Sequence, residues 1–516
     1  MRPVSRHASG LALLLAAISA TSNIDAAERL YEQHCAACHG TDRLGGSGPA
    51  LVPGNFERLD REAAMDVIRD GRPATQMPAF GGKLSAAEVE SLADYIFEPP
   101  PAPPEWTLAD MQHSHSVPTQ TLADAPVYAA DPLNLFLIVE KGDHHITILD
   151  GDRLEPIHRF ATHRALHGGP KFSPDGRFTY LASRDGWISK YDLYGLEVVA
   201  EIRAGINTRN LAVSGDGRYV LVGNYLPHQL VMLDAGDLAP LAVIPVTGKG
   251  DRSSRVSAVY DAPARSSFVV ALKDMAEIWE IPYGDDREPV YPGLVHDYRY
   301  AEGIADDTRF PVRRIRLDHY LDDLCFSPDY RHVIGTARDT EGAQVINLDV
   351  GRRIAGIDLP GLPHLASCIT WQYKDRTVMA TPDFKAGMVS VIDVETWQVI
   401  RRIETAGPGF FMRSHEATPY AWVDVFFGPD NDRMHIIDKN SLEIVRTLVP
   451  TPGATSAHVE FDRHGRYALV SVWENEGAVV IYDAHTLEEI KRLPMRRPSG
   501  KYNVYNRISG STGTSH

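Results

Sequence analysis

The sequence predicts a small all-α domain followed by an all-β eight-bladed propeller. Three observations carry this: a helical stretch with its own motif before residue 98, a run of prolines at 99–104, and a phrase that recurs every 42 to 45 residues from about residue 128 onward. Hydrophobic residues make up 43% and charged residues 23%, which is an ordinary globular composition. A prior of about 150 residues per domain suggests three or four domains, but repeat architectures run longer as one unit. The charge balance, 52 − 68 = −16, excludes a nucleic-acid function, because no basic excess exists to displace phosphate counterions. Four cysteines in 516 residues exclude a disulfide scaffold.

Met1 to Ala26 reads as a cleaved secretory signal: Arg2, Arg6 and His7, then the apolar run Leu11 to Ile18, then small residues. That run is too short to span a bilayer, which takes about 20 apolar residues. Export, with the features below, predicts a bacterial periplasm and no membrane span. Residues 27–98 carry Cys35-Ala-Ala-Cys38-His39, the C-x-x-C-H spacing at which two thiols add to haem vinyl groups and the histidine ligates iron. Zinc would need a second ligand pair nearby, and none is present. Met77 follows in a proline-bounded loop as the candidate sixth ligand, with core packing as its plainer role and His113 or His115 as competitors. An amphipathic helix from Leu84 to Ile96 opens on a Ser85–Glu88 capping box. Motif, methionine loop and terminal helix, in that order, predict a class I cytochrome c domain with one covalent haem c. Residues 99–120 are expected to be a proline-rich linker.

Residues 121–516 hold the repeat. Each unit has a turn such as Phe172-Ser-Pro-Asp-Gly-Arg-Phe or Phe326-Ser-Pro-Asp-Tyr-Arg-His, an alternating β run, and a strand ending in aspartate. The terminal aspartates fall at 150, 192, 234, 349, 393, 438 and 483, with gaps of 42, 42, 115, 44, 45 and 45. The long gap holds a weaker unit, Arg255 to Ile281, and an insertion near 282–320. Eight units of about four strands predict a propeller of eight blades.

The propeller resembles that of the cytochrome cd1 family. The resemblance rests on Ala165-Leu-His167-Gly-Gly-Pro-Lys, Ser183-Arg184-Asp185-Gly186-Trp to Asp192, and the ending Pro498-Ser-Gly-Lys-Tyr-Asn-Val-Tyr-Asn506. It implies a non-covalent d1-type haem on the propeller axis, with His167 as its proximal iron ligand. Nitrite reductases of the family use two distal histidines. Here the first position holds Asp322, and the second is His364. A carboxylate beside the iron is expected to repel nitrite. The wording at Arg413-Ser-His415-Glu and Ala204-Gly205-Ile-Asn-Thr-Arg209 is similar to the branch assigned to haem d1 biosynthesis. That branch is described as dehydrogenating dihydro-haem d1, propionate to acrylate, as the last step. A related branch lacking the usual cytochrome is disfavoured by the Cys35–His39 motif. Cytochrome cd1 nitrite reductase and a non-catalytic haem d1 carrier stay open as alternatives.

The dehydrogenase chemistry removes two protons and two electrons, so it needs a base and an acceptor. The candidate bases are His364 and His415, with Tyr502 or Tyr505 as a hydrogen-bonding partner, and haem c as the acceptor. Arg184, Arg209 and Arg255 are candidates to pair the macrocycle's carboxylates, while Arg313 and Arg314 read as surface charge. Implied partners are the tetrapyrrole, nitrite reductase and other haem d1 biosynthesis proteins, and a periplasmic electron acceptor. Cys325 and Cys368 read most simply as buried free thiols, although export would permit a disulfide.

Overall fold

Capping residues set the helices of the N-terminal unit. The computed structural model describes residues 25–72, 75–119, 121–248, 252–291, 304–510 and 513, so the signal segment lies outside the described residues up to position 24. A helix α1 ends at residue 34 and is followed by α2 (Ala36–His39), α3 (Arg61–Asp70) and α4 (Ala86–Phe97). Asp60 accepts the Ala63 N–H at 2.8 Å, and Ser85 with Glu88 forms the expected reciprocal box ahead of α4. The apolar faces of α1, α3 and α4 meet around Tyr31, Ile68, Leu92 and Ile96. The chain divides into two units, Met1–Glu105 and Trp106–His516. No helix among the described residues is long and apolar enough to cross a membrane.

The second unit is a ring of eight four-stranded antiparallel sheets. Blades 2 to 8 each take four consecutive strands, and the first strand of each lies against the first strands of its neighbours around the axis. Blade 1 departs from this pattern. Its innermost strand is the last one in the chain, Pro498–Asn503, which pairs with Leu135–Glu140 through Leu137↔Tyr502 and Ile138↔Lys501. The ring is thereby closed by its own C-terminus.

The repeated turn has a specific chemistry. In blade 3 the Ser214 hydroxyl donates to Asp216 at 2.6 Å and accepts the Tyr219 N–H at 2.9 Å, while Asp216 accepts the Arg218 N–H at 3.0 Å. Ser173 with Asp175 and Ser327 with Asp329 repeat it. The terminal aspartates start the next turn: Asp438 accepts the Asn440 and Ser441 N–H groups at 2.9 and 2.7 Å, and Asp483 does likewise for His485 and Thr486. Blade 5 differs from expectation. Its third strand ends at Asn347, whose side chain accepts from Asp349 and Val350, so Asp349 is not the turn residue and instead pairs with Arg265 and Arg331. The insertion falls between the third and outermost strands of blade 4, Glu277–Pro282 and Arg313–Arg316.

The linker expected over 99–120 needs correction at its C-terminal half. From Trp106 the chain is part of the propeller unit. Trp106 Nε1 donates to the Arg203 carbonyl at 2.8 Å, α5 (Leu108–Ser114) is capped reciprocally by Thr107 and Asp110, and Ser116 bridges to Glu201. Met111 is fully buried among core residues of blades 2 and 3. Apolar Trp106 and Met111 beside a capping box outweigh the nearby proline run, which ends at 104. Met111→Ala should therefore cost the propeller about 2–5 kcal/mol, read from denaturant unfolding. An unchanged midpoint would show the segment to be a passive tether.

Candidate functional site

In the N-terminal unit, α2 brings the motif into one turn. The His39 N–H donates to the Cys35 carbonyl at 3.0 Å. His39 is buried, and its Nδ1 contacts the Pro49 carbonyl at 2.8 Å. A carbonyl there fixes the proton on Nδ1 and leaves the Nε2 lone pair for a metal. Gly48 has to be glycine, because a Cβ would lie 2.7 Å from the His39 ring. Arg43 ties the motif to α4, donating to the Glu98 carbonyl at 3.0 Å with its guanidinium 4.6 Å over the Tyr95 ring. Met77 is half-buried, and its carbonyl accepts the Arg72 N–H at 3.1 Å. Pro73 and Ala74 of that loop lie outside the described residues. These residues fit a covalent c-type haem: two thiols, an oriented imidazole and a thioether in a tied loop. His115 is committed elsewhere, bonded to the Asp237 carbonyl at 2.7 Å.

In the propeller, the segments that enter the innermost strands share one rim with the turns between second and third strands. His167 lies on the segment entering blade 2, and His364 on the segment entering blade 6. Blades 2 and 6 are four apart in a ring of eight, so the two histidines come from opposite sides of the axis. His167 Nδ1 contacts the Arg209 carbonyl at 2.7 Å, while Arg209 Nη1 donates to its Nε2 at 2.8 Å. Its segment is strained and close-fitting: Ala165, Gly168 and Gly169 all have positive φ, and a Cβ on Gly169 would meet the Tyr502 ring at 2.5 Å. A cavity of 280 Å³ lies behind it, where His163 stacks on Trp187 and pairs with Glu201 at 2.9 Å. His364 Nδ1 hydrogen-bonds the Phe410 carbonyl, its ring stacks on Phe410 at 4.5 Å, and its Nε2 lies 3.9 Å from Asp323. Burial, with the charges of Arg413, Arg209 and Arg338, pushes His364 down to about 3, so it is neutral.

The rim has two chemically distinct halves. Blades 6 to 8 present rings in contact with one another: Phe384, Phe410, Phe411, Phe426, Phe427 and Trp473. Blades 1 to 4 present cations: Lys141, Arg184, Arg209 and Lys273. The Arg184 Nε is buried without a partner among the described residues, and its guanidinium faces Tyr225 at 5.4 Å. Burial alone would raise Tyr225, yet Arg209, Lys273, Arg184 and Arg255 together pull it down to about 7. Burial and Arg209 lower Arg184 to about 10, and burial with Arg184 and Arg497 lowers Lys141 to about 8. Like-charged groups held together in this way are a receptor for carboxylates.

Several expected site residues stand elsewhere or are already paired. Arg255 is occupied, forming a two-bond ion pair with Asp274 at 2.8 and 2.6 Å. His415 sits in the turn after the first strand of blade 7, Met412–Ser414, and accepts the Ala417 N–H at 3.1 Å. An antiparallel strand carries that turn to the rim opposite His167 and His364, so His415 is not a base for the same substrate. Tyr505 lies in the helix after the closing strand, with the guanidinium of Arg463, from the corresponding turn of blade 8, 4.7 Å over its ring. Arg313 and Arg314 are on the outermost strand of blade 4, paired with Glu280 and Glu277. Asp322 is held by Lys273 at 2.7 Å and accepts the Arg338 N–H at 2.9 Å. Its charge is thus offset, and the expected repulsion of an anion does not follow; what the position lacks is an acid. Cys325 and Cys368 are free and buried, with Cys325 Sγ 3.5 Å from Met379 Sδ.

His458 was not anticipated from the sequence. It lies on the innermost strand of blade 8, Ser456–Phe461, fully buried, with φ of 50°. Its ring is 4.7 Å from Phe411 and 5.5 Å from Tyr502. Burial, with Lys501, Arg413 and Arg507 nearby, holds its pKa well below the usual value. A sequence signal exists: three residues before the aromatic that opens each turn stand Asp323 and His458.

Residues 130–507 match the cytochrome D1 heme domain family. The chain belongs to this family. Residues 22–96 match a second family, cytochrome C oxidase, cbb3-type, subunit III. Among cytochrome d1 haem domain proteins, the dihydro-heme d1 dehydrogenase of Pseudomonas aeruginosa is 54% identical over 508 residues, covering 98% of this chain and 99% of that one. NirF of Stutzerimonas stutzeri is 30% identical over 71% of this chain and 90% of its own length. The nitrite reductase of Stutzerimonas stutzeri is 23% identical over 94% of this chain and 93% of its own. A solved structure, dihydro-heme d1 dehydrogenase NirN in complex with DHE, superposes with a TM-score of 0.77 at 54% identity, covering 93% of this chain and 99% of that one.

For the N-terminal site, the ferric protein should show the weak sulfur-to-iron charge-transfer band of methionine-ligated haem, and Met77→Ala should abolish it. A band that survives in the variant refutes Met77 as the ligand. For the propeller, His167→Ala should weaken tetrapyrrole binding about 10–100-fold while leaving the haem c spectrum unchanged. Undiminished affinity would remove His167 from the ligand set.

Proposed function

We propose that the chain is a periplasmic oxidoreductase that dehydrogenates dihydro-haem d1, turning a propionate side chain of the macrocycle into an acrylate. The step converts –CH2–CH2–COO⁻ to –CH=CH–COO⁻ with release of two protons and two electrons. One observation carries the reading. The rim offers two histidines with oriented Nε2 atoms on opposing blades and, beside them, a third buried histidine that ligation does not require. Likeness over almost the full length to a dihydro-heme d1 dehydrogenase supports it.

His167 and His364 are assigned to the two axial faces of the substrate iron. Ligation by His167 displaces Arg209 Nη1 from Nε2, and the released guanidinium pairs with a substrate carboxylate alongside Arg184. The aromatic half of the rim packs the apolar part of the macrocycle and excludes water. His458 takes the proton from the propionate carbon. It is neutral, as a base must be, and its Nδ1 accepts the Lys501 N–H over a long 3.4 Å. Tyr502, 5.5 Å from His458 between ring centres, orients the carboxylate or the imidazole. A haem c would be held by Cys35, Cys38, His39 and Met77 and would supply one-electron redox chemistry. The residues from Met1 to Ala26 and the C-x-x-C-H motif support the periplasmic assignment. A periplasmic acceptor and hand-over of product to a nitrite reductase complete the proposal.

Anaerobic incubation with dihydro-haem d1, followed by extraction and mass spectrometry, should show loss of two hydrogens. His458→Ala should bind substrate but slow conversion about 10²–10⁴-fold, whereas His364→Ala should also change the absorption spectrum of the bound substrate. Unchanged cofactor mass in the parent protein would favour a carrier. Nitrite turnover by the parent, raised further by Asp322→His, would favour a reductase.

A further inference from the structure

We infer that Asp424 is the positioning residue of this site, one buried carboxylate that sets both His364 and His458, with Lys501 completing the hold on His458. The inference rests on the reading of His458 as the base. Asp424 ends the second strand of blade 7, Tyr420–Asp424, and is fully buried. Its Oδ1 accepts the N–H groups of Phe410 at 2.7 Å and Phe411 at 2.9 Å. Its Oδ2 accepts the N–H of His458, in the next blade, at 3.1 Å.

Those three donors are the backbone of the two histidine environments. The Phe410 carbonyl is the partner of His364 Nδ1, and the Phe410 ring stacks on His364. The Phe411 ring packs on His458. A two-residue step therefore touches both histidines, and one carboxylate fixes that step. His458 needs a further hold, because a φ of 50° is disfavoured for any residue with a Cβ. Asp424 holds its N–H, and Lys501 Nζ donates to its carbonyl and to Ser471 Oγ at 2.6 Å. Lys501 is itself fully buried and lies on the strand that closes the ring. It touches His458 and not the Phe410–His364 branch, whereas Asp424 serves both.

That asymmetry gives the test, made on the full chain with haem c attached. Asp424→Asn puts an NH2 against at least one N–H donor. It should lower kcat about 10–100-fold, leave KM within about threefold, and shift the absorption spectrum of bound dihydro-haem d1, because the carbonyl orienting His364 moves. Lys501→Met should lower kcat by a similar factor with the spectrum unmoved. Parent kcat in Lys501→Met, or a parent spectrum in a folded Asp424→Asn, overturns the assignment. If Asp424→Asn fails to fold, Lys501→Met decides alone. His458→Ala separates the two levels: parent conversion in that variant removes His458 as the base, while slow conversion there with parent kcat in both other variants removes only the positioning.

Discussion

The propeller depends on six residues of its last strand. Pro498–Asn503 supply the innermost strand of blade 1, and without them Leu135–Glu140 would be an open edge facing the axis. Joining ends more than 350 residues apart costs little more than joining nearer ones, since closure entropy grows only with the logarithm of loop length. The closing strand also does more than seal. Lys501 reaches the His458 carbonyl from it, Tyr502 fills the space left by Gly169, and Asn503 caps α6 (Val504–Ser509) while donating to Asn134 at 3.1 Å. Ring closure and site assembly are therefore one event, and the site cannot form in a chain that has not closed.

Charge is distributed against the overall balance. A chain with net charge −16 gathers Lys141, Arg184, Arg209 and Lys273 at one half of one rim. Elsewhere arginines are paired, as in Arg255–Asp274 and Arg177–Asp192. At the rim Lys273 is paired with Asp322, while arriving carboxylates would relieve the repulsion among Lys141, Arg184 and Arg209, so stability is given up locally for recognition. The aromatic side chains of the opposite half, from Phe384 to Trp473, offer cover for an apolar plane. A planar macrocycle with carboxylates on one side matches both halves at once.

How much of this the sequence disclosed depends on the range over which each feature is built. The repeated turn is local: Ser214, Asp216 and the Tyr219 N–H lie within six positions, so its pattern was readable, as were the Ser85 cap and the Cys35–His39 motif. Asn347 slipped past because asparagine serves the turn as well as aspartate does, and Asp349 lay close enough to be mistaken for it. His415 and His364 looked alike as loop histidines. Only strand direction separates them, since one follows an innermost strand and the other precedes one. Asp424, His458 and Lys501 meet across three blades, and no pattern along the chain joins positions that the ring alone brings together.

The histidines are sorted by what each ring nitrogen meets. His39, His167 and His364 all present Nδ1 to a backbone carbonyl, from Pro49, Arg209 and Phe410. A ligand needs one fixed tautomer with its lone pair aimed, and a carbonyl on the far nitrogen provides that. His458 differs, because the carbonyl its imidazole meets is its own and its Nδ1 also lies 3.4 Å from the Lys501 N–H, while the strong contacts to its backbone come from Asp424 on one side and Lys501 on the other. A group that gains and loses a proton must not move while doing so. Holding the backbone from both sides meets that demand, and this is the physical reason for assigning the proton to His458 and the iron to the other two propeller histidines.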